Sequence, residues 1–258
     1  MKKILFFLLA FYTPVSIIIA QNTTNSPTSM FGLGELSTGE GGQYAGLGGA
    51  GIALRGNNFL NSANPASLTE LTEQRFQIDA GIMGAYQIYS QRGASNRSVT
   101  GNLNNLSIGC RIMPRWYGAI FMAPVSSVGY AITLDEEVAG TNGGTISSLF
   151  QGEGGLSKMG ISTAYLFGKG FSVGTNLSYV TGTITQTETQ GTATEETSSY
   201  KHTFYADFGV QYKWAIDRER SFVAGAVYGY SQDFKQDNNL YVSSSSGGDD
   251  IEKSLKRY

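Results

Sequence analysis

YKHTFYADFGVQYKWA, residues 200–215, decides the fold. Its even positions hold Tyr200, His202, Phe204, Ala206, Phe208, Val210, Tyr212 and Trp214. Its odd positions include Lys201, Thr203, Asp207, Gln211 and Lys213. Successive side chains of a strand point to opposite faces, so a period of two gives one apolar and one polar face. The run is long for a strand of a globular domain. It suits a strand whose two faces meet different surroundings, hydrocarbon on one side and a polar lumen on the other.

The same alternation recurs on either side. Residues 75–91 place Phe76, Ile78, Ala80, Ile82, Tyr86 and Ile88 opposite Gln77, Asp79, Gly81, Gln87 and Gln91. Residues 102–113 place Leu106, Ile108, Cys110 and Ile112 opposite Asn105, Ser107, Gly109 and Arg111. Further strands are expected at 156–167, 171–185 and 221–233, the last extending towards 242. Residues 116–134 read either as two strands or as one strand bent at Pro124, because proline cannot donate to a sheet ladder. Connection lengths favour one bent strand. The joins at 113–115, 168–170 and 216–220 are then short, while 92–101, 135–155 and 186–199 are long and polar. Short periplasmic turns alternating with long external loops are the pattern of an outer-membrane barrel.

Composition agrees. Charged residues make up 15% and aromatics 12%, with 34 glycines and 5 prolines, a balance that suits a barrel better than a helical enzyme. Residues 1–20 carry Lys2 and Lys3 before an apolar stretch that ends at Ala20, which reads as a cleaved secretory signal. Residues 21–42 are polar and read as a flexible N-terminus. Residues 43–74 are Gly-rich without strand alternation and read as a plug (hatch) segment. Residues 75–242 carry the strands, and 243–258 read as a polar loop. Seven strands is an odd number, whereas single-chain bacterial barrels are even. The expectation is therefore the N-terminal part of a longer barrel, with a complete eight-stranded barrel as the alternative.

Several chemistries find no support. A mildly acidic chain without a basic patch does not suit nucleic acid. Cys110 is the only cysteine, so neither a disulfide framework nor a cysteine metal cluster is expected. The glycines before residue 54 lack the strand and the lysine of a phosphate-binding loop. His202 is the only histidine, and no Ser/His/Asp spacing points to catalysis. Glu195-Glu196 and Asp249-Asp250 read as solvated loop charge, and Asp79, Arg111, Asp207 and Lys213 share the lumen-facing parity. The chain is expected to be no enzyme and to need no cofactor or metal.

Three stretches carry a resemblance: GLGGAGIAL at 46–54 with Asn64-Pro65-Ala66 after it, MAPVSSVGY at 122–130, and GEGGLSKMGISTAYLFGKGFSVGTNLSYVTG at 152–182. In order and spacing the chain resembles the outer-membrane long-chain fatty acid transporter family (the FadL/TodX type) in its Bacteroidetes-like form. The resemblance implies a 14-stranded transmembrane antiparallel β-barrel plugged by an N-terminal hatch, of which seven strands are half. It implies that Asn64, Pro65 and Ala66 fix the hatch. It also implies that Ala123, Pro124, Ser126, Ser127 and Gly129 form a strand-three kink that opens the wall sideways. The function it implies is passive uptake of a hydrophobic small molecule such as a long-chain fatty acid, with outer-membrane lipid as surroundings. The alternative is a non-transporting barrel of that family, a scaffold for secretion or surface assembly with a partner protein. An outer-membrane enzyme is the third and weakest reading. The roughly twenty extra polar residues before the hatch depart from the family.

Overall fold

The computed structural model describes residues 24–37, 46–56, 58–71, 76–91, 94–137, 144–217 and 220–244. The expected signal at 1–20 and most of the polar stretch at 243–258 lie outside them.

The described chain is all-β. A short strand β1 (Glu35–Leu36) precedes β2 (Gln77–Gln91), β3 (Ala94–Met113), β4 (Trp116–Glu137), β5 (Thr145–Phe167), β6 (Phe171–Gln190) and β7 (Ala193–Ala215). β8 (Ser221–Gly229) and β9 (Lys235–Ser244) complete the order. One antiparallel sheet runs β2-β3-β4-β5-β6-β7-β8, curled as a half-barrel. β8 pairs with residues 207–215 of β7 and β9 with residues 193–202. The two are halves of one seventh strand, interrupted at 230–234, where Thr203 Oγ1 donates to the Asp233 carbonyl at 3.0 Å. Among the described residues no helix is long and apolar enough to cross a membrane; strands are the other way to cross.

The long polar loops expected at 92–101, 135–155 and 186–199 are corrected. Most of their residues continue the strands as tall hairpins, closing at Gln91↔Ala94, Glu137↔Thr145 and Gln190↔Ala193. β3 to β7 are 20 to 23 residues long, or about 65–75 Å at 3.3 Å per residue. Crossing a bilayer takes about ten, so each strand continues far beyond that need. The hydrophobic period stops where the outward face turns polar, as in Thr181, Thr183, Thr185, Thr187 and Thr189 of β6. Threonine is a strand former, and ladder hydrogen bonds carry the pairing without an apolar face.

The faces are inverted relative to a water-soluble sheet. Ile120, Ile161, Leu177, Phe204, Phe208, Tyr212 and Trp214 are exposed on the convex face. Ser107, Ser126, Ser162, Ser172, Asn176, Ser178 and Gln211 are buried on the concave one. The exposed apolar band lies next to the short turns, at 204–214 of β7 and 171–179 of β6, and above it the outward face of β6 turns to threonine. Trp116, Tyr165, Phe167, Phe171 and Trp214 edge the band below. Tyr179, Tyr200 and His202 stack above it, with the His202 ring centroid 5.3 Å from that of Tyr200.

The β6–β7 hairpin turns tightly. Gly191 sits at φ +60° between Gln190 and Ala193, a conformation that costs an L-residue about 1–2 kcal/mol. Gly191→Ala is expected to lower stability by about that amount in urea unfolding of the refolded protein. An unchanged midpoint would place this turn elsewhere.

Candidate functional site

Two parts of the N-terminal chain meet the sheet in two places. The first lies on the concave face. A 3-10 turn, Pro65–Glu70, follows Asn64 and has five buried residues. Proline at its first position needs no N–H partner there. The Asn64 side chain is fully buried and all of its polar groups are used. Oδ1 accepts from the Ala66 N–H at 3.0 Å, while Nδ2 donates to the carbonyls of Ile52 at 2.8 Å and Val210 at 3.2 Å. The amide thus ties the turn to an earlier loop and to β7 in one step. Asn61 closes the same loop, with Nδ2 donating to Gly51 and Leu54 carbonyls and Oδ1 accepting from Ala63 N–H.

Glycines of the sheet make the approach possible. A Cβ on Gly174 would press on the backbone of Pro65 and Ala66, and one on Gly209 would meet the Asn64 side chain and the Pro65 ring. A glycine inside a strand marks such a close backbone approach. Leu60, Leu68 and Leu71 pack with Tyr117 and Ala164 beneath the turn, each buried leucine contributing about 1.5–3 kcal/mol.

Inward-pointing polar groups of the sheet hold this segment. Leu60 N–H donates to Asp79 Oδ2 at 3.2 Å. Asn176 Nδ2 donates to Asp207 Oδ1 at 2.7 Å, and Gln211 Nε2 to the Ile52 carbonyl at 2.7 Å. Glu70 binds Lys213 Nζ at 2.6 Å and lies 3.7 Å from Arg55 Nε. Arg55 Nη2 also donates to Ser172 Oγ at 2.9 Å and to Thr69 Oγ1. Burial pulls the Arg55 guanidinium below its usual pKa, and the Glu70 and Tyr117 charges oppose that shift. Arg55, Asn61 and Glu70 were missed in the sequence. Nothing local marks Arg55 and Glu70 as partners of Lys213, which lies far along the chain.

The second place is a division of the sheet. β3 pairs with β4 only from Met113↔Trp116 to Leu106↔Met122. Beyond that, β3 continues against β2 alone and β4 against β5. The β4–β5 register shifts between Pro124 and Ser126, which leaves Val125 as the extra residue of a bulge. Bulges bend a strand and increase its twist, so the two hairpins part here.

The residues expected to form the strand-three kink lie against residues 24–37. Glu35 pairs with Ser127 and Leu36 with Ser126, while the Ser37 N–H donates to the Val125 carbonyl at 2.8 Å. The Gly129 carbonyl accepts from Ser26 N–H at 2.8 Å and from Ser29 Oγ at 3.2 Å, and Gly129 N–H donates back to Ser29 Oγ at 3.0 Å. A Cβ on Gly129 would strike the Thr24 carbonyl. Met30 packs on Val128, Tyr130 and Ile184. Ala123 is buried just below, and Pro124 is half-buried at the bulge. The polar stretch 21–42 was expected to be a flexible N-terminus. Its described part, 24–37, lies as a strap along β4, because the unpaired edge there offers backbone groups that must be satisfied.

Other expected candidates lie apart. Glu195 and Glu196 stand on β7 high above the band, and Asp249 and Asp250 lie outside the described residues. Cys110 is a free, half-buried thiol on the apolar side of β3. Among the described residues, no group of three or more His, Cys, Asp or Glu could hold a metal ion.

A family model described as BamG matches residues 1–255. The chain belongs to the BamG family, a family associated with the outer membrane. This overturns the resemblance to FadL-type fatty acid transporters. Uptake of long-chain fatty acids, which rested on that resemblance, goes with it. A Gly/Ala-rich run and an Asn-Pro-Ala turn describe how a segment packs in a curled sheet, and packing does not specify cargo. No curated protein and no solved structure matches the chain.

The two contacts are separable. Gly209→Val is expected to release residues 46–71 to protease while leaving 24–37 protected. Gly129→Val is expected to do the reverse. Limited proteolysis read by mass spectrometry distinguishes the two patterns, and cleavage of both segments in both variants would show a single coupled unit.

Proposed function

We propose that this BamG-family chain works in outer-membrane protein assembly, as a non-catalytic β-sheet component that meets a protein partner. The observation that carries this reading is the family match over 1–255, since the family name points to the BAM complex. The expected alternative of a surface-assembly scaffold comes near this role, but it was attached to the wrong family.

The polarity of the sheet supports a place in the membrane. The convex apolar band is about ten residues deep along β7, as a bilayer requires of a tilted strand. Aromatic rings edge it on both sides, where amphipathic rings sit at a membrane interface. In this reading the short-turn end faces the periplasm and the tall hairpins stand outside. Residues 46–71 act as a plug, holding the polar concave face dry and rigid through Asn64 and Glu70.

The role needs no bond to be made or broken. His202, the sole histidine, stacks with Tyr179 and Tyr200 on the convex side, away from the polar interior. A plugged sheet that contacts a partner would act by position, as a fixed surface beside a machine that inserts other barrels.

The test is capture of the tagged full chain from native outer membranes after mild crosslinking, together with its depletion in cells. The expected outcome is co-purification with the BAM complex and a fall in several unrelated outer-membrane barrels on depletion. Unchanged levels of those barrels, with no BAM component captured, would refute the reading.

A further inference from the structure

The strap covers only the lower part of the edge it lies on. Its backbone bonds to β4 run from Val125 to Gly129. From Tyr130 to Glu137, β4 pairs with β5 on one side and, among the described residues, with no strand on the other. An unpaired edge presents backbone N–H and C=O groups to another chain. The apolar cluster under the strap also continues past it. Met30, Ile132 and Phe150 pack against Val128, Tyr130 and Ile184. Leu134 and Ile146 extend that line on the same face of β4 and β5, and they are 47% and 45% exposed. The edge ends in Asp135, Glu136 and Glu137, all exposed. Ser147 Oγ donates to Asp135, and among the described residues no lysine or arginine pairs with any of the three.

We propose that the edge of β4 from Tyr130 to Glu137 takes an extended segment of a partner protein by strand addition. Alternate apolar side chains of that segment lie beside Ile132 and Leu134, and basic residues at its end meet Asp135, Glu136 and Glu137. The partner's place in the assembly machinery rests on the proposed function; the site itself does not. The strap shows what this edge accepts, since it already binds there as an extended chain through backbone bonds. The free part continues that interface. In strand addition main-chain bonds give affinity and alternate side chains give specificity. Met122 is in register with Phe204 near the top of the apolar band, and Leu134 lies about 35–40 Å further along the strand. Lipid hydrocarbon does not reach it. The three carboxylates call for lysine or arginine and disfavour any anion. A second copy of the chain would bring the same acids to the edge, and like charges side by side on paired strands destabilise the pairing.

Cys110→Ser removes the one native thiol, and Thr133→Cys then carries an environment-sensitive dye at an exposed position of β4. The full chain in phosphatidylcholine nanodiscs is titrated with a blocked peptide in which valine alternates with threonine between terminal lysines. The expected result is a saturable change in emission. Its apparent Kd should rise about fivefold in Leu134→Asn and in Glu137→Lys and increase with added salt. Glu137→Lys changes only an exposed tip residue, so it keeps the test open if Leu134→Asn does not fold. N-methylation of the peptide's backbone amides removes its donors and keeps its charge and side chains, and it should abolish binding. Absence of saturable binding would overturn the proposal. So would equal binding of the N-methylated peptide, which would mark a purely ionic contact, or equal binding of a peptide with glutamate ends. Self-association of the labelled chain that blocks the peptide would overturn it in favour of a second copy. Peptide binding with no BAM component captured would refute the assembly reading and leave the site. The converse would refute the site alone.

Discussion

A curled sheet that turns its apolar side chains outward must satisfy its polar ones from within. This constraint governs the molecule. Ser172, Asn176 and Gln211 are buried although they are polar, and leaving such groups unpaired costs about 1–3 kcal/mol each. The N-terminal chain answers them with its own carbonyls and side chains. The Asn64 amide is the clearest case, since it bonds its own turn, a preceding loop and β7 together. The glycines at 174 and 209 let that turn approach the sheet backbone.

The same logic explains the strap. Once the bulge at Val125 parts β4 from β3, the freed edge of β4 needs partners. Residues 24–37 supply them with two bridge pairs and a set of serine contacts. The turn after Asn64 and the strap thus perform one task at two heights. The first covers the concave face beside the apolar band, and the strap covers the seam above it.

Much of this was legible in residues 200–215, because an apolar outer face and a polar inner face write a period of two. The tall hairpins were not, because the apolar period fades there, as on the outward face of β6; the threonines from 181 to 189 were the remaining signal. The strap was hidden because it binds through backbone atoms, which leave no residue pattern. The link of Arg55 and Glu70 to Lys213 joins distant parts of the chain, and alternation within one strand cannot show it. The glycines at 174 and 209 were the usable hint, being inward-facing strand positions without side chains. The Asn-Pro-Ala turn was read as the hatch motif of a transporter family, and the packing it records carries no family.

The central claim is that the convex band of β7 meets lipid while the rest of that strand meets water. Nitroxide labels placed one at a time along residues 196–214, in the full chain reconstituted into bilayers, test it by comparing collisions with oxygen and with a water-soluble nickel complex. Positions 204, 208, 210 and 212 should favour oxygen, with the odd positions between them shielded, and 196 and 198 should favour nickel. Water-like accessibility at every even position from 196 to 214 would contradict the account.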